Sequence, residues 1–195
     1  KTAACAKHFA VHSGPELVRH QFNAEASQKD LWETYLPAFK ALVDVKVEAV
    51  MCAYNSTNGQ PCCSNNYFIT DVIKKNWNFK GHVLTDCWAL QDFYAPKETG
   101  HGIVKTQAEA AALAVKSGVS LNCGVAYNSL PDAVKEGLIT EKEIDSQLAI
   151  LLKTRFKLGL FDPMGSNPYD DISSTVVDSE SHRSLAREVA QKSMV

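Results

Sequence analysis

Four short apolar runs, at 3–9, 48–54, 82–86 and 119–123, each stop at a polar residue or turn signal and each give way to a helical pattern. This alternation predicts an α/β fold with a parallel sheet, because parallel neighbours in a sheet need a long, usually helical, crossover between them. The first helix is expected to start at Ser27, whose hydroxyl can cap free amides with Asp30 in the first turn, and to bury Leu31, Tyr35, Leu36, Phe39 and Val43. Pro37 should bend it. Residues 67–77 give a second helix with Ile69, Val72 and Ile73 inward, and alanine-rich 106–116 a third, closed by Gly118. After the fourth run come a short helix over 130–136 and a longer one through 158, opened by the capping box Thr140 and Glu143 and closed by Gly159.

Such a sheet can be open and doubly wound or closed into a barrel. No glycine-rich phosphate loop follows any run, which counts against a dinucleotide fold. His8, Tyr54 with Asn55, Asp86, and Asn122 with Cys123 all fall at the carboxyl ends of their runs, the face on which an eight-stranded α/β barrel gathers its chemistry. Four units are half of such a barrel, which takes roughly 250 residues. The expectation is therefore a partial (β/α)8 barrel over 1–161, with its first strands missing. Residues 162–195 then read as an inter-domain linker, marked by Asp162, Pro163, Gly165, Asn167 and Pro168, and the opening helix of a second α/β domain, over 179–195.

Composition narrows the function classes. Of the 195 residues, 45% are hydrophobic and 22% charged, as in a globular protein with a packed core. Twenty basic against 22 acidic side chains give a net charge of -2, so no nucleic-acid partner is expected. No run approaches the roughly 20 apolar residues of a membrane-spanning helix, so no membrane partner is expected either. The six cysteines lack the C-x-x-C spacing of a zinc site, so no metal is expected; their even number permits disulfides without requiring them.

Three run ends carry groups suited to chemistry. Lys7 and His8 could bind ligand hydroxyls from two sides, or serve as an internal ion pair and a satisfied histidine. Tyr54 could orient a carboxylate or simply end its strand. Asp86, on a rigid apolar strand and near the Trp88 indole, suits nucleophilic attack on an anomeric carbon, with the indole stacked on a sugar face. It could equally cap the next turn.

In combination these motifs are more specific. Lys7-His8-Phe9, Arg19-His20-Gln21-Phe22-Asn23-Ala24, Asp30-Leu31-Trp32-Glu33-Thr34-Tyr35-Leu36-Pro37, Met51-Cys52-Ala53-Tyr54-Asn55, Thr85-Asp86-Cys87, Leu121-Asn122-Cys123-Gly124 and Leu158-Gly159-Leu160-Phe161-Asp162 follow one another in an order that resembles the family 3 glycoside hydrolases. The likeness covers nearly the whole chain and is to the two-domain β-glucosidase and β-xylosidase branch. It implies a retaining, exo-acting β-glycosidase that needs no cofactor and acts on an oligosaccharide or aryl glycoside. It further implies that Asp86 is the nucleophile, that Lys7, His8 and Arg19 bind sugar hydroxyls, and that Tyr54 lies near the nucleophile.

The loop at 12–16 lacks the Asp-Ser-His element of the family's single-domain branch. The general acid/base would then be a glutamate of the following sandwich domain, outside this chain, as would the aspartate of the missing half-barrel that grips distal hydroxyls. A Cys87–Cys123 disulfide across the pocket rim would resemble the β-xylosidase branch and crowd out a hexose hydroxymethyl group, favouring xylose over glucose. A periplasmic or secreted enzyme is expected. The alternatives are a carbohydrate-binding module that has lost catalysis and, on composition alone, a redox or metal protein built on Cys62-Cys63 and the histidines.

Overall fold

In a computed structural model of the chain, residues 2–12 and 14–194 are described; Lys1, Ser13 and Val195, the expected end of the last helix, lie outside them. The fold is organised by a parallel sheet of three strands, β1 (Cys5–Phe9), β3 (Ala49–Cys52) and β6 (His82–Thr85), in the order β1-β3-β6. Ala49 pairs with His82 and Cys52 with Thr85, while the β1 register shifts between Ala6 and Phe9. The fourth run, expected as a strand, forms a single parallel bridge from Leu121 to Leu84. Thr85 still receives its backbone bond from that segment, donating its N–H to the Leu121 carbonyl at 3.0 Å. A second small sheet joins β2 (Asn23–Ala24), β4 (Ser56–Thr57) and β5 (Gln60–Pro61) beside the carboxyl end of β3.

Helices cover the strands much as the apolar spacing requires. Ser27 and Asp30 form a reciprocal capping box at the start of α1 (Gln28–Asp30), which runs through π-helical turns at Leu31–Tyr35 into α2 (Pro37–Asp44). Pro37 has no N–H to give, so the ladder is re-phased before it, and a wide turn followed by a fresh helix start is one way of doing so. The second crossover, Tyr67–Asn76, is also π-helical and buries Phe68, Ile69, Val72 and Ile73. Helix α4 (Gln107–Ser117) begins with a Thr106–Glu109 capping box and ends at Gly118, whose φ of +99° only glycine adopts without strain. A short α3 (Gln91–Tyr94) precedes it; α5 (Leu130–Lys135) and α6 (Glu141–Lys157), capped by Thr140 and Glu143, follow.

The core lies between the sheet and these helices. Phe9, Val50, Val83, Phe68, Ile69, Ile73, Leu90 and Phe93 are all at most 1% exposed. At the amino end of the strands, Thr154 of α6 donates to Glu48 Oε1 at 2.8 Å and Lys157 donates to the same oxygen at 3.0 Å. Burial disfavours the Glu48 carboxylate, yet these two bonds and the Lys157 charge outweigh it and hold its pKa below the ordinary value. His82 reaches the same Thr154 hydroxyl at 3.0 Å. That end of the sheet is tied shut, while the carboxyl end carries the polar side chains.

Contacts divide the described chain after Leu158. The remainder, from Gly159 on, holds a turn-rich stretch and α7 (Glu180–Ser193), whose N-cap is Ser179. Among the described residues no helix is long and apolar enough to cross a membrane.

Candidate active site

Asp86 follows β6 directly, at the carboxyl end of the central sheet, with its side chain 14% exposed. Both carboxylate oxygens are engaged: Oδ1 accepts from the Cys87 backbone N–H at 2.8 Å, and His8 Nε2 lies 3.0 Å from Oδ2. His8 stands on β1, two strands away, so the sheet itself sets this separation. Burial lowers the His8 pKa; the Asp86 charge opposes that shift but does not reverse it. His8 therefore faces Asp86 as a neutral imidazole that donates from Nε2.

Tyr54, just beyond β3, completes the group. Its hydroxyl donates to the Cys87 carbonyl at 2.8 Å, and its pKa is raised, first by burial and then by the Asp86 charge. The ring is enclosed by Arg19, whose guanidinium carbon lies 5.4 Å from its centroid, by His20 at 4.5 Å and by His12 at 6.2 Å. From behind, His101 Nε2 donates to the Tyr54 carbonyl at 2.8 Å while its Nδ1 accepts from Ser56. Burial lowers the His101 pKa, in keeping with a neutral ring that both donates and accepts.

The turn that carries Asp86 is fastened at several points. Thr85, fully buried, accepts through Oγ1 from Asn122 Nδ2 at 3.1 Å and from the Cys123 N–H at 3.0 Å. Cys87 and Cys123 are joined in a disulfide with a Cα–Cα separation of 4.3 Å. Trp88 takes a left-handed backbone conformation, φ +70°, and donates its N–H to the Cys123 carbonyl at 2.7 Å. Trp88 as a whole is 49% exposed.

Of the residues singled out from the sequence, Asp86, His8 and Tyr54 thus meet directly. Arg19 joins them through the Tyr54 ring, and Trp88 borders them. Lys7 is exposed and has no ion pair among the described residues. Four further residues belong to the neighbourhood without a sequence signal strong enough to find them: His12, His20, Asp92 and His101. His12 donates through Nδ1 to Asn55 Oδ1 at 3.1 Å, and His20 pairs with Asp92 at 2.9 Å across 72 residues of chain. A second disulfide, Cys52–Cys63, leaves Cys62 as a buried thiol, so the Cys62-Cys63 pair is not a dithiol couple. Among the described residues no three metal-ligating side chains cluster.

Comparison with known proteins shows which sequences and folds this chain resembles. The sequence model of the glycosyl hydrolase family 3 N terminal domain matches residues 1–153. A xylan 1,4-beta-xylosidase of Xylanibacter ruminicola is 39% identical over all of this chain and 23% of its own length. Among solved structures, a family 3 exo-beta-xylosidase in complex with a xylobiose aziridine probe superimposes with a TM-score of 0.85 at 30% identity, over 95% of this chain and 24% of that one. A beta-glucosidase from Listeria innocua gives 0.80 at 28% identity, over 96% and 26%. The chain spans about a quarter of the length of these relatives.

Proposed function

This chain belongs to glycosyl hydrolase family 3, and from that premise we propose that it is the part of a retaining, exo-acting β-glycosidase that bears the nucleophile, Asp86. The observation that carries the proposal is the approach of His8 to within 3.0 Å of a half-buried carboxylate at the carboxyl end of a parallel strand. In the full-length protein the fold around it is a (β/α)8 barrel, completed by strands outside this chain, with a second α/β domain following the linker.

The reaction is a double displacement. An Asp86 oxygen attacks the anomeric carbon as the bond to the aglycone oxygen breaks, and that oxygen takes a proton from the general acid. The acid is a glutamate of the following domain, about 5 to 5.5 Å from Asp86 as retention requires. Water, giving its proton back to the same group, then displaces Asp86 and frees the sugar. His8 and the Cys87 N–H fix the direction of the carboxylate, Arg19 and Lys7 bind hydroxyls, and Trp88 stacks on the sugar. No step calls for a cofactor.

Xylose is favoured over glucose because the Cys87–Cys123 bridge includes the residue next to Asp86, where it would crowd the hydroxymethyl group of a hexose. The names of the similar xylosidases support the same choice. Two disulfides support an exported, periplasmic or secreted enzyme, since such bonds persist in oxidising compartments.

Trapping with a slow 2-fluoro-xyloside tests the assignment in the full-length enzyme. The label is expected on the peptide containing Asp86; a label on any other peptide overturns it.

A further inference from the structure

A second polar chain runs beside the nucleophile and has no role in the double displacement. It begins at Asp92, the second residue of α3, 7% exposed and buried against the core. Asp92 Oδ2 lies 2.9 Å from His20 Nδ1, and Arg19 Nε donates to His20 Nε2 at 3.2 Å. The protonation pattern follows from the donors alone. A guanidinium N–H can only donate, so His20 Nε2 must accept, the ring proton must sit on Nδ1, and Asp92 receives it. We propose that Asp92 and His20 are positioning residues that hold the Arg19 guanidinium in place to bind a sugar hydroxyl.

The inference rests on the glycosidase reading and deepens it. Arg19 lies in the loop between β1 and β2, where a long side chain loses much conformational freedom when it is fixed. Its other restraints are the Tyr54 ring, whose centroid lies 5.4 Å from the guanidinium carbon, and Glu16, three residues away and largely exposed; exposed pairs of that kind hold little, and a ring face fixes no N–H direction. The buried end of the chain is better anchored. The Asp92 carbonyl accepts from the His101 N–H at 2.6 Å, and His101 in turn donates to the Tyr54 carbonyl. His20 also packs on the Tyr54 ring. One segment, 92–101, buried at its two ends, therefore supports both Tyr54 and Arg19. With Nε on His20 and Nη1 on Glu16, Arg19 Nη2 has no protein partner among the described residues and is available to a ligand.

The test is a double-mutant cycle in the full-length enzyme, assayed with an aryl β-xyloside. Arg19→Ala and Asp92→Ala are each expected to raise KM roughly tenfold while changing kcat less than about threefold. The double variant should be no worse than Arg19→Ala, because both changes remove one function. Asp92→Asn keeps an acceptor for the Nδ1 proton and should recover most of the affinity. Additive losses, or an Asp92→Ala enzyme with unchanged KM, overturn the relay. If Asp92→Ala fails to fold, His20→Leu, at a partly exposed position, replaces it with the same expectations. Failure of the glycosidase reading has its own signature: Asp86→Ala turns over xyloside as fast as the parent, and the relay falls with it.

Discussion

His8 Nε2 and Asp86 Oδ2 stand 3.0 Å apart although β3 separates the strands that carry them. A neutral donor in this position orients the carboxylate without consuming its charge, which a nucleophile must keep. Asp86→Ala in the full-length enzyme should lower kcat by at least about 10⁴-fold. Azide should restore turnover by entering the vacated space and yield the glycosyl azide of inverted configuration. Chromatography of the product checks this, and an azide product of retained configuration would show that the attack came from the other face.

Tyr54→Phe removes the hydroxyl that bonds the Cys87 carbonyl beside the nucleophile and leaves the ring under Arg19. A fall in kcat of roughly 10- to 100-fold is expected with little change in melting temperature. Steady-state kinetics and a thermal melt on the same preparation separate the two. A large melting shift with normal kcat would make the tyrosine a packing residue.

Much of this arrangement is legible in the sequence because it is local. The capping boxes at Ser27 and Thr140 follow from side chains three residues apart, and Gly118 from the need for a left-handed stop. Strands β1, β3 and β6 all lie within the apolar runs at 3–9, 48–54 and 82–86. What escapes is non-local or depends on phase. Nothing in the spacing of His20 and Asp92 announces a pair separated by 72 residues, nor does Cys52 indicate whether Cys62 or Cys63 is its partner. The π-helical phase of Tyr67–Asn76 leaves the same apolar residues inward as an α-helix would, so the hydrophobic pattern cannot tell the two apart. The run at 119–123 has strand composition, but it meets only β6, by a single bridge.

The two disulfides should behave differently. Opening Cys52–Cys63, which spans 11 residues, should cost about 3 kcal/mol, and Cys87–Cys123, which spans 36, about 4 kcal/mol, by loop entropy. The first meets the nucleophile only through its backbone, where the Asp86 N–H donates to the Cys52 carbonyl at 3.2 Å, whereas the second includes Cys87, the residue next to Asp86. The Cys87→Ser, Cys123→Ser double variant should raise glucoside turnover relative to xyloside by roughly tenfold or more. An unchanged ratio in paired assays would remove the bridge from the account of specificity.

Stability should respond to pH in two opposite ways. His8, His82 and His101 are all held below their ordinary value of 6.5, chiefly by burial. The unfolded chain therefore binds more protons between their folded values and 6.5, and stability is lost as pH falls through that window. Asp92 is shifted the other way, from 3.8 to about 6, by burial against the opposing pull of His20. Its contribution is complete below 3.8 and lost as pH rises through about 6. Asp92→Asn should thus raise the melting temperature by a few degrees at pH 8 and by roughly half as much at pH 5. Equal shifts at both values would contradict the sign.

The clasp at the base of the sheet also bears on how the chain is made. Glu48 finds Thr154 and Lys157 only 106 and 109 residues later. At translation speeds of about 5 to 20 residues per second, its carboxylate waits on the order of 5 to 20 seconds for these partners. The sheet is open at its base for that interval, and it is the emergence of α6 from the ribosome that lets the strands lock.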